Sequence, residues 1–237
     1  MFPFTKSFLS KAADTGREIY YFTNNSSKNA AYYIEKLAGM GISASDDRMM
    51  TSNQVMIRYL HRNHPGKRVL AVGTSYLLED FTAAGILLDD HKPEVAVLGF
   101  DTTLTYEKLR KLCDAVRNGL PYYAVNPDFN CPIEDGGWMP DCGSIAALVQ
   151  TSTGRVPEFM GKPSRHTLSY ILEKTGFDAE QIAVVGDRLY TDIALTKDSP
   201  VLSILVMTGE TTREMLRGNC YQPDLVFDSL KEIEILL

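Results

Sequence analysis

No apolar run in the 237-residue sequence is long enough to span a bilayer, and the first ten residues lack the hydrophobic stretch of a signal peptide. Both absences lead us to expect a cytoplasmic protein. Positive charge is not in excess either: 24 Lys and Arg stand against 30 Asp and Glu, for a formal net charge of -6. That balance argues against nucleic acid or an anionic membrane as the main partner. The four cysteines, Cys113, Cys131, Cys142 and Cys220, form no C-x-x-C pair, so neither a zinc site nor a disulfide framework is indicated and reduced thiols are expected. No G-x-G-x-x-G follows the early strand, which counts against a dinucleotide site. Internal repeats and low-complexity segments are also missing. What is present, 44% hydrophobic and 23% charged residues, suits a chain that buries a full core in one or two domains.

The apolar pattern alternates between two periods. Helical spacing over Thr5 to Thr15, with Thr5 as N-cap and Gly16 as stop, is followed by a strand Ile19 to Phe22 and a helix Asn29 to Met40 for which Ser26 or Ser27 would serve as cap. A helix Ser52 to Arg62 leads to the His64-Pro-Gly66 turn. Strands are then expected at Arg68 to Val72, Val95 to Gly99 and Tyr122 to Val125, with helices Ser75 to Ala84, Thr105 to Asn118 and Ser144 to Thr151 among them. After Pro157 the rhythm resumes with Phe159-Met160, a helix Arg165 to Thr175 and strands Ile182 to Val185, Ser203 to Met207 and Leu225 to Phe227. Strands alternating with helices predict parallel sheet and βαβ units, an α/β fold.

Three stretches carry chemistry. The first is Gly186-Asp-Arg-Leu-Tyr-Thr-Asp192, directly after a buried strand. Ligands of open α/β sheets bind outside the carboxyl ends of strands, and paired carboxylates there suit Mg²⁺, which takes oxygen ligands and keeps several waters. The plainer alternative is that Asp187 and Asp192 only cap a helix. The second is Thr23-Asn-Asn-Ser-Ser27 before a helix, where unpaired backbone N–H groups and the dipole favour an anion. The third is Gly161-Lys-Pro-Ser164, whose flanking residues fix the backbone around Lys162. An ammonium about 4 Å from a phosphate charge, at an effective dielectric near 20, contributes roughly 4 kcal/mol before desolvation. Taken alone, Lys162 reads as a solvated surface lysine.

Taken together and in this order, Thr-Asn-Asn, Gly-Lys-Pro-Ser and Gly-Asp-Arg-Leu-x-Thr-Asp resemble the second, third and fourth motifs of the haloacid dehalogenase-like hydrolases, and most closely their class IIA phosphatases. Gly99-Phe-Asp-Thr-Thr-Leu-Thr-Tyr-Glu-Lys-Leu109 and Asn126-Pro-Asp128 are similar to cap sequences of that class, so the resemblance covers nearly the whole chain. It implies a Rossmann-like parallel-sheet core, residues 1–66 and 157–237, with an inserted α/β cap, residues 67–156. It further implies that Thr23, Asn24 and Asn25 hold the phosphoryl oxygens of a small phosphorylated metabolite, with Arg188 as a further substrate contact. Lys162, with Thr23, would act at the reaction centre, Asp187 would bind Mg²⁺ with Asp192 supporting it, and Cys131 at the cap tip would meet the leaving group. A homodimer, if formed, would use the cap.

The family's first motif, Asp-x-Asp-Gly on the first core strand, does not occur before Thr23. It supplies the nucleophile of an aspartyl-phosphate mechanism. The expectation is therefore a core with its first strand missing, through a misassigned start or a truncated gene, and a chain inactive as given. A non-catalytic phosphate-ester binder or a truncated pseudoenzyme is the alternative. Asp101-Thr-Thr-Leu-Thr105 imitates a variant nucleophile motif, but it lies within the βα rhythm of the cap and is rejected on that ground.

Overall fold

The computed structural model describes residues 1–133 and 136–237. In chain order, the first half holds α1 (Thr5–Asp14), β1 (Tyr21–Thr23), α2 (Ala30–Gly39), β2 (Met49–Thr51), α3 (Ser52–Asn63), β3 (Arg68–Val72), α4 (Ser75–Ala83), β4 (Leu87–Leu88), β5 (Val95–Leu98) and α5 (Tyr106–Arg117). The second half holds β6 (Tyr122–Ala124), the hairpin β7 (Asn130–Pro132) and β8 (Trp138–Pro140), α6 (Cys142–Thr153), β9 (Glu158–Phe159), α7 (Arg165–Thr175), β10 (Ala183–Gly186), β11 (Leu202–Val206), α8 (Arg213–Leu216), β12 (Leu225–Phe227) and α9 (Leu230–Leu236). The parallel pairing within both larger sheets matches the expected α/β architecture.

The chain forms two compact units. One comprises residues 1–21, 34–48 and 162–237. Its sheet has the order β10-β11-β12, in register from Ala183 opposite Leu202 to Gly186 opposite Leu205. Phe8 of α1 packs with Ile204, Val206 and Ile233, which joins α1 to β11 and α9, while Leu189 and Ile193 cover Leu205. Such side chains each contribute about 1.5–3 kcal/mol when fully buried. β10 forms an edge of this sheet, and Val185 on it is 39% exposed.

The other unit comprises residues 22–33 and 49–161. Its five-stranded parallel sheet has the order β4-β3-β5-β6-β9. All four residues of β5 are fully buried, as a central parallel strand covered on both faces requires. Leu98, Leu112, Val116 and Val149 join β5 to α5 and α6 in one core. β1 and β2 pair in a separate two-stranded sheet, and β7 pairs antiparallel with β8.

These units divide the chain differently from the expected core and cap, because residues 22–33 and 49–66 group with residues 67–161. Hydrogen bonds cross the expected boundary. Thr74 Oγ1 donates to the Ser27 carbonyl at 2.9 Å and Ser52 Oγ to the Asn24 carbonyl at 2.7 Å, so the turn after β1 is tied to α3 and to the end of β3. Several boundaries also shift. Thr5 is the first helical residue rather than the N-cap, which is Phe4. The α2 cap is Asn29, whose Oδ1 accepts the Tyr32 N–H at 3.0 Å, because Ser26 and Ser27 are engaged elsewhere. Residues Leu189–Ile193 form a single π-type turn, a form common at functional sites.

Candidate active site

The acidic turn is built where β10 ends. Asp187 follows Gly186 directly, and the π-type turn then carries Asp192 back so that its Oδ2 accepts the Arg188 N–H at 3.1 Å. Lys162 Nζ donates to Asp192 Oδ1 at 2.6 Å. The two side chains are 14% and 9% exposed, so this is a largely desolvated ion pair, and both Asp192 oxygens are engaged. Lys162 is presented by the segment that enters α7, where Ser164 Oγ accepts the His166 N–H at 3.3 Å as the N-cap. The Lys162–Pro163 peptide is cis.

Asp187 is held from a segment that the sequence reading did not single out, Thr208-Gly-Glu-Thr211 after β11. The Glu210 N–H donates to Asp187 Oδ2 at 2.8 Å, and Thr211 Oγ1 donates to the Asp187 carbonyl at 2.6 Å. A Cβ at Gly209 would run into the Asp187 carboxylate, so glycine is what lets this loop close over it. Glu210 also takes the Arg188 guanidinium at 2.8 Å and the Tyr190 hydroxyl at 2.6 Å. Arg188 is thus directed onto Glu210. Among the described residues no group of three or more His, Cys, Asp or Glu side chains could hold a metal ion. Asp187, engaged through Oδ2, retains Oδ1 as the oxygen a cation could use.

The turn after β1 belongs to the other unit. Thr23 Oγ1 accepts the Asn25 N–H at 3.2 Å, and Asn25 Oδ1 accepts both the N–H and the hydroxyl of Ser27, at 3.0 and 2.7 Å. Asn25 Nδ2 donates to Cys131 Sγ at 3.5 Å, which brings Cys131 to this turn. Tyr33 is hydrogen-bonded to Thr23, and burial pushes its phenol up to about 12. The Asn24 side chain is buried, and its amide donates to Asp128 Oδ2 at 2.8 Å rather than into open space. Tyr33, Asn126, Asp128 and Asp141 were not singled out as site residues. The available signal was that Asn126 and Asp128 closely follow a strand end, at the edge where α/β sheets bind ligands.

Asp101 is not available as a nucleophile. Its side chain has no exposed surface, Oδ1 accepts the Thr103 N–H and hydroxyl at 2.8 and 2.6 Å, and Oδ2 pairs with Lys108 at 2.7 Å.

With that geometry in hand, two sequence profiles match the chain: haloacid dehalogenase-like hydrolase over residues 1–87 and HAD-hydrolase-like over residues 159–233. An acid sugar phosphatase of Staphylococcus saprophyticus is 36% identical over 214 residues, covering 90% of this chain and 82% of the relative. The chain belongs to the haloacid dehalogenase-like hydrolases. The crystal structure of a 4-nitrophenylphosphatase from Thermotoga maritima superposes with a TM-score of 0.94 at 42% identity, covering 99% of this chain and 90% of that one. A glycerol phosphate phosphatase from Mycobacterium tuberculosis, solved with calcium, gives 0.88 at 28% identity, covering 98% and 71%. Within its family the chain therefore groups with the phosphoric monoester hydrolases of the nitrophenylphosphatase type. No helix among the described residues is long and apolar enough to cross a membrane.

Proposed function

We propose that this chain forms the phosphate- and metal-binding body of a Mg²⁺-dependent phosphatase that hydrolyses a small phosphomonoester through an aspartyl-phosphate mechanism. The observation that carries the reading is the 2.6 Å pair between Lys162 and Asp192 on the turn that also bears Asp187. It puts one fixed positive charge beside a carboxylate of the acidic turn at the carboxyl end of a parallel strand. Fixed charge of this kind stabilises the charge that builds on a transferring phosphoryl group. Mg²⁺ takes one or two protein carboxylates and fills its shell with water and phosphate oxygens. Asp187 Oδ1 fits that demand as a direct ligand, and Asp192 holds Lys162 and the turn. When bound, the cation would neutralise phosphate charge. The calcium found with the glycerol phosphate phosphatase relative supports a divalent ion in this role.

Around the phosphate, Thr23 and the N–H groups of the Asn24-Asn25 turn would take the phosphoryl oxygens, and Lys162 would neutralise nucleophile and phosphate. Residues 67–156 would act as the cap, with Cys131 near the leaving group. A dimer through this cap remains part of the proposal. The step requires a carboxylate that attacks phosphorus while the ester P–O bond breaks, and a second one that gives the leaving alcohol its proton. No Asp-x-Asp-Gly precedes Thr23 to provide them. Deleting the nucleophile in a serine protease costs on the order of 10⁶ in kcat, so we expect the 237-residue chain to be inactive and a form with an added Asp-x-Asp-Gly strand to turn over.

Assaying both forms with 4-nitrophenyl phosphate and Mg²⁺ tests this. Turnover in the longer form alone, abolished by chelation, supports the proposal. No turnover in either form, with phosphate-ester binding in both, would instead favour a non-catalytic binder.

A further inference from the structure

The turn that binds the anion in the reading above is held by four elements whose attachment points are far away in sequence. Ser52, the residue after β2, reaches the Asn24 carbonyl, and Thr74, two residues past β3, reaches the Ser27 carbonyl. The Phe100 N–H, two residues past β5, donates to Ser26 Oγ at 2.7 Å, and Ser26 Oγ donates to Asn126 Oδ1, two residues past β6, at 2.7 Å. The carboxyl-terminal edge of the five-stranded sheet is thereby spent on gripping this turn.

One side chain closes the grip. Asp128 Oδ2 accepts Asn24 Nδ2 at 2.8 Å and Asn126 Nδ2 at 3.0 Å, and Asn126 Nδ2 also donates to Asp141 Oδ1 at 3.0 Å. Asn126 is fully buried and Asp128 and Asp141 are 4% and 3% exposed. The far side of Asn24 is closed as well, because a Cβ at Gly161 would stand 2.8 Å from Asn24 Oδ1 and 2.9 Å from the Val125 carbonyl. A buried carboxylate accepting two amide N–H groups on one oxygen fixes both amides, since charge-assisted hydrogen bonds are shorter and stronger than neutral ones. Nothing in the phosphatase reading needs this carboxylate, and on charge alone a buried Asp close to an anion site is unfavourable.

We propose that Asp128 is a positioning residue for the phosphate-binding turn: by holding the Asn24 carboxamide it sets the conformation of Thr23 to Ser27, and anion affinity depends on it although it does not contact the anion. The proposal rests on the reading of that turn as the phosphate site. It makes a prediction opposite in sign to simple electrostatics. Removing the charge with Asp128→Asn should strengthen phosphate binding if only Coulomb repulsion mattered, and weaken it if the charge-assisted hydrogen bonds to the two amides fix the turn, because the neutral carboxamide oxygen that remains is a weaker acceptor.

The test is a titration of the full chain with inorganic phosphate in the presence of Mg²⁺, read by amide NMR shifts of Thr23 to Ser27. Wild type should show saturable shifts there, Asp128→Asn about tenfold weaker affinity, and Asn24→Ala a similar loss. In the double variant Asp128→Asn should add nothing, because Asp128 acts through Asn24. If wild type shows no shift at these amides, the phosphate reading fails and the proposal with it. If wild type binds and Asp128→Asn binds as tightly or more tightly, the phosphate reading stands and the positioning role is overturned. An additive double variant, the signature of a merely structural Asp128, also overturns it. Should Asp128→Asn fail to fold, Asn24→Ala alone decides: unchanged shifts and exchange protection across Ser26 and Ser27 would refute the tie.

Discussion

The acidic turn and the turn after β1 are made rigid in opposite ways. Asp192 is fixed by a charged partner, Lys162, and by the N–H of Arg188 four residues earlier. Thr23 to Ser27 are fixed mostly by neutral hydroxyls, amides and backbone groups, with long-range partners between 28 and 106 residues away. The first arrangement concentrates its stabilisation in one desolvated ion pair. The second spreads it over many bonds of about 1 kcal/mol each. A site that must hold a cation gains from a compact charged turn, whereas one that must offer N–H groups to an anion gains from a backbone locked without adding positive charge.

The largest expected effect breaks the first arrangement. Lys162→Met leaves the Asp192 carboxylate largely buried without its counter-charge, and unpairing a buried ion costs about 3–5 kcal/mol. Because the lysine retains 14% exposure, the low end, about 3 kcal/mol, is expected in urea unfolding. Adding Asp192→Asn should recover most of it, since the uncompensated charge is then gone. Ser52→Ala at the other turn should cost only about 1 kcal/mol. Equal losses for Lys162→Met and Ser52→Ala would erase the contrast.

The same contrast explains what could be read from the sequence. β5 and α5 were legible because Val95 to Leu98 is a continuous apolar run and Thr105, the observed N-cap accepting from Lys108, opens a strongly periodic helix. The acidic turn was legible because its parts lie within seven residues, and the partnership with Lys162 was expected only through family resemblance. Asp128 escaped as a site residue because its partner Asn24 is 104 residues away, and no local pattern reports such a pairing. The α2 cap was misassigned for the same reason. Ser26 and Ser27 are as good caps as Asn29 by local chemistry, yet long-range and turn bonds had claimed them, leaving Asn29. β4, two residues at a sheet edge with Leu87 53% exposed, has too little pattern to read.

A smaller, matched pair of changes sharpens the comparison. Gly209→Ala and Gly161→Ala each push a methyl group against a site residue, Asp187 in one case and Asn24 in the other. Overpacking of this kind costs about 1–3 kcal/mol. Their functional effects should separate. Gly209→Ala should weaken Mg²⁺ binding, measured by calorimetry, while leaving the amide shifts of Thr23 to Ser27 in place. Gly161→Ala should do the reverse. If both variants lose metal affinity to the same extent, the two turns are not independently built.

The smallest effect concerns pH and belongs to the unit that carries the neutral turn. His64 Nε2 lies 2.8 Å from the Tyr123 hydroxyl, with Tyr59 packed against both rings. Burial, and to a lesser degree the nearby Lys67 charge, lower its pKa below the ordinary value. The folded state therefore takes up the His64 proton at a lower pH than the unfolded chain, which does so near pH 6.5. Wherever the unfolded state binds more protons, stability rises with pH. The contribution of His64 is thus complete above about pH 6.5 and is lost as the pH falls toward the lower folded-state value. His64→Gln keeps a hydrogen-bonding group for Tyr123 but cannot titrate. Between about pH 7 and pH 5.5 its Tm should fall less than that of wild type, by about 1 °C because His64 is only partly buried. The difference should appear in amide exchange around Tyr59 and Tyr123 and be absent around Asp187. A steeper acid slope in His64→Gln would mean that the imidazole is charged in the folded protein and that its environment has been read with the wrong sign.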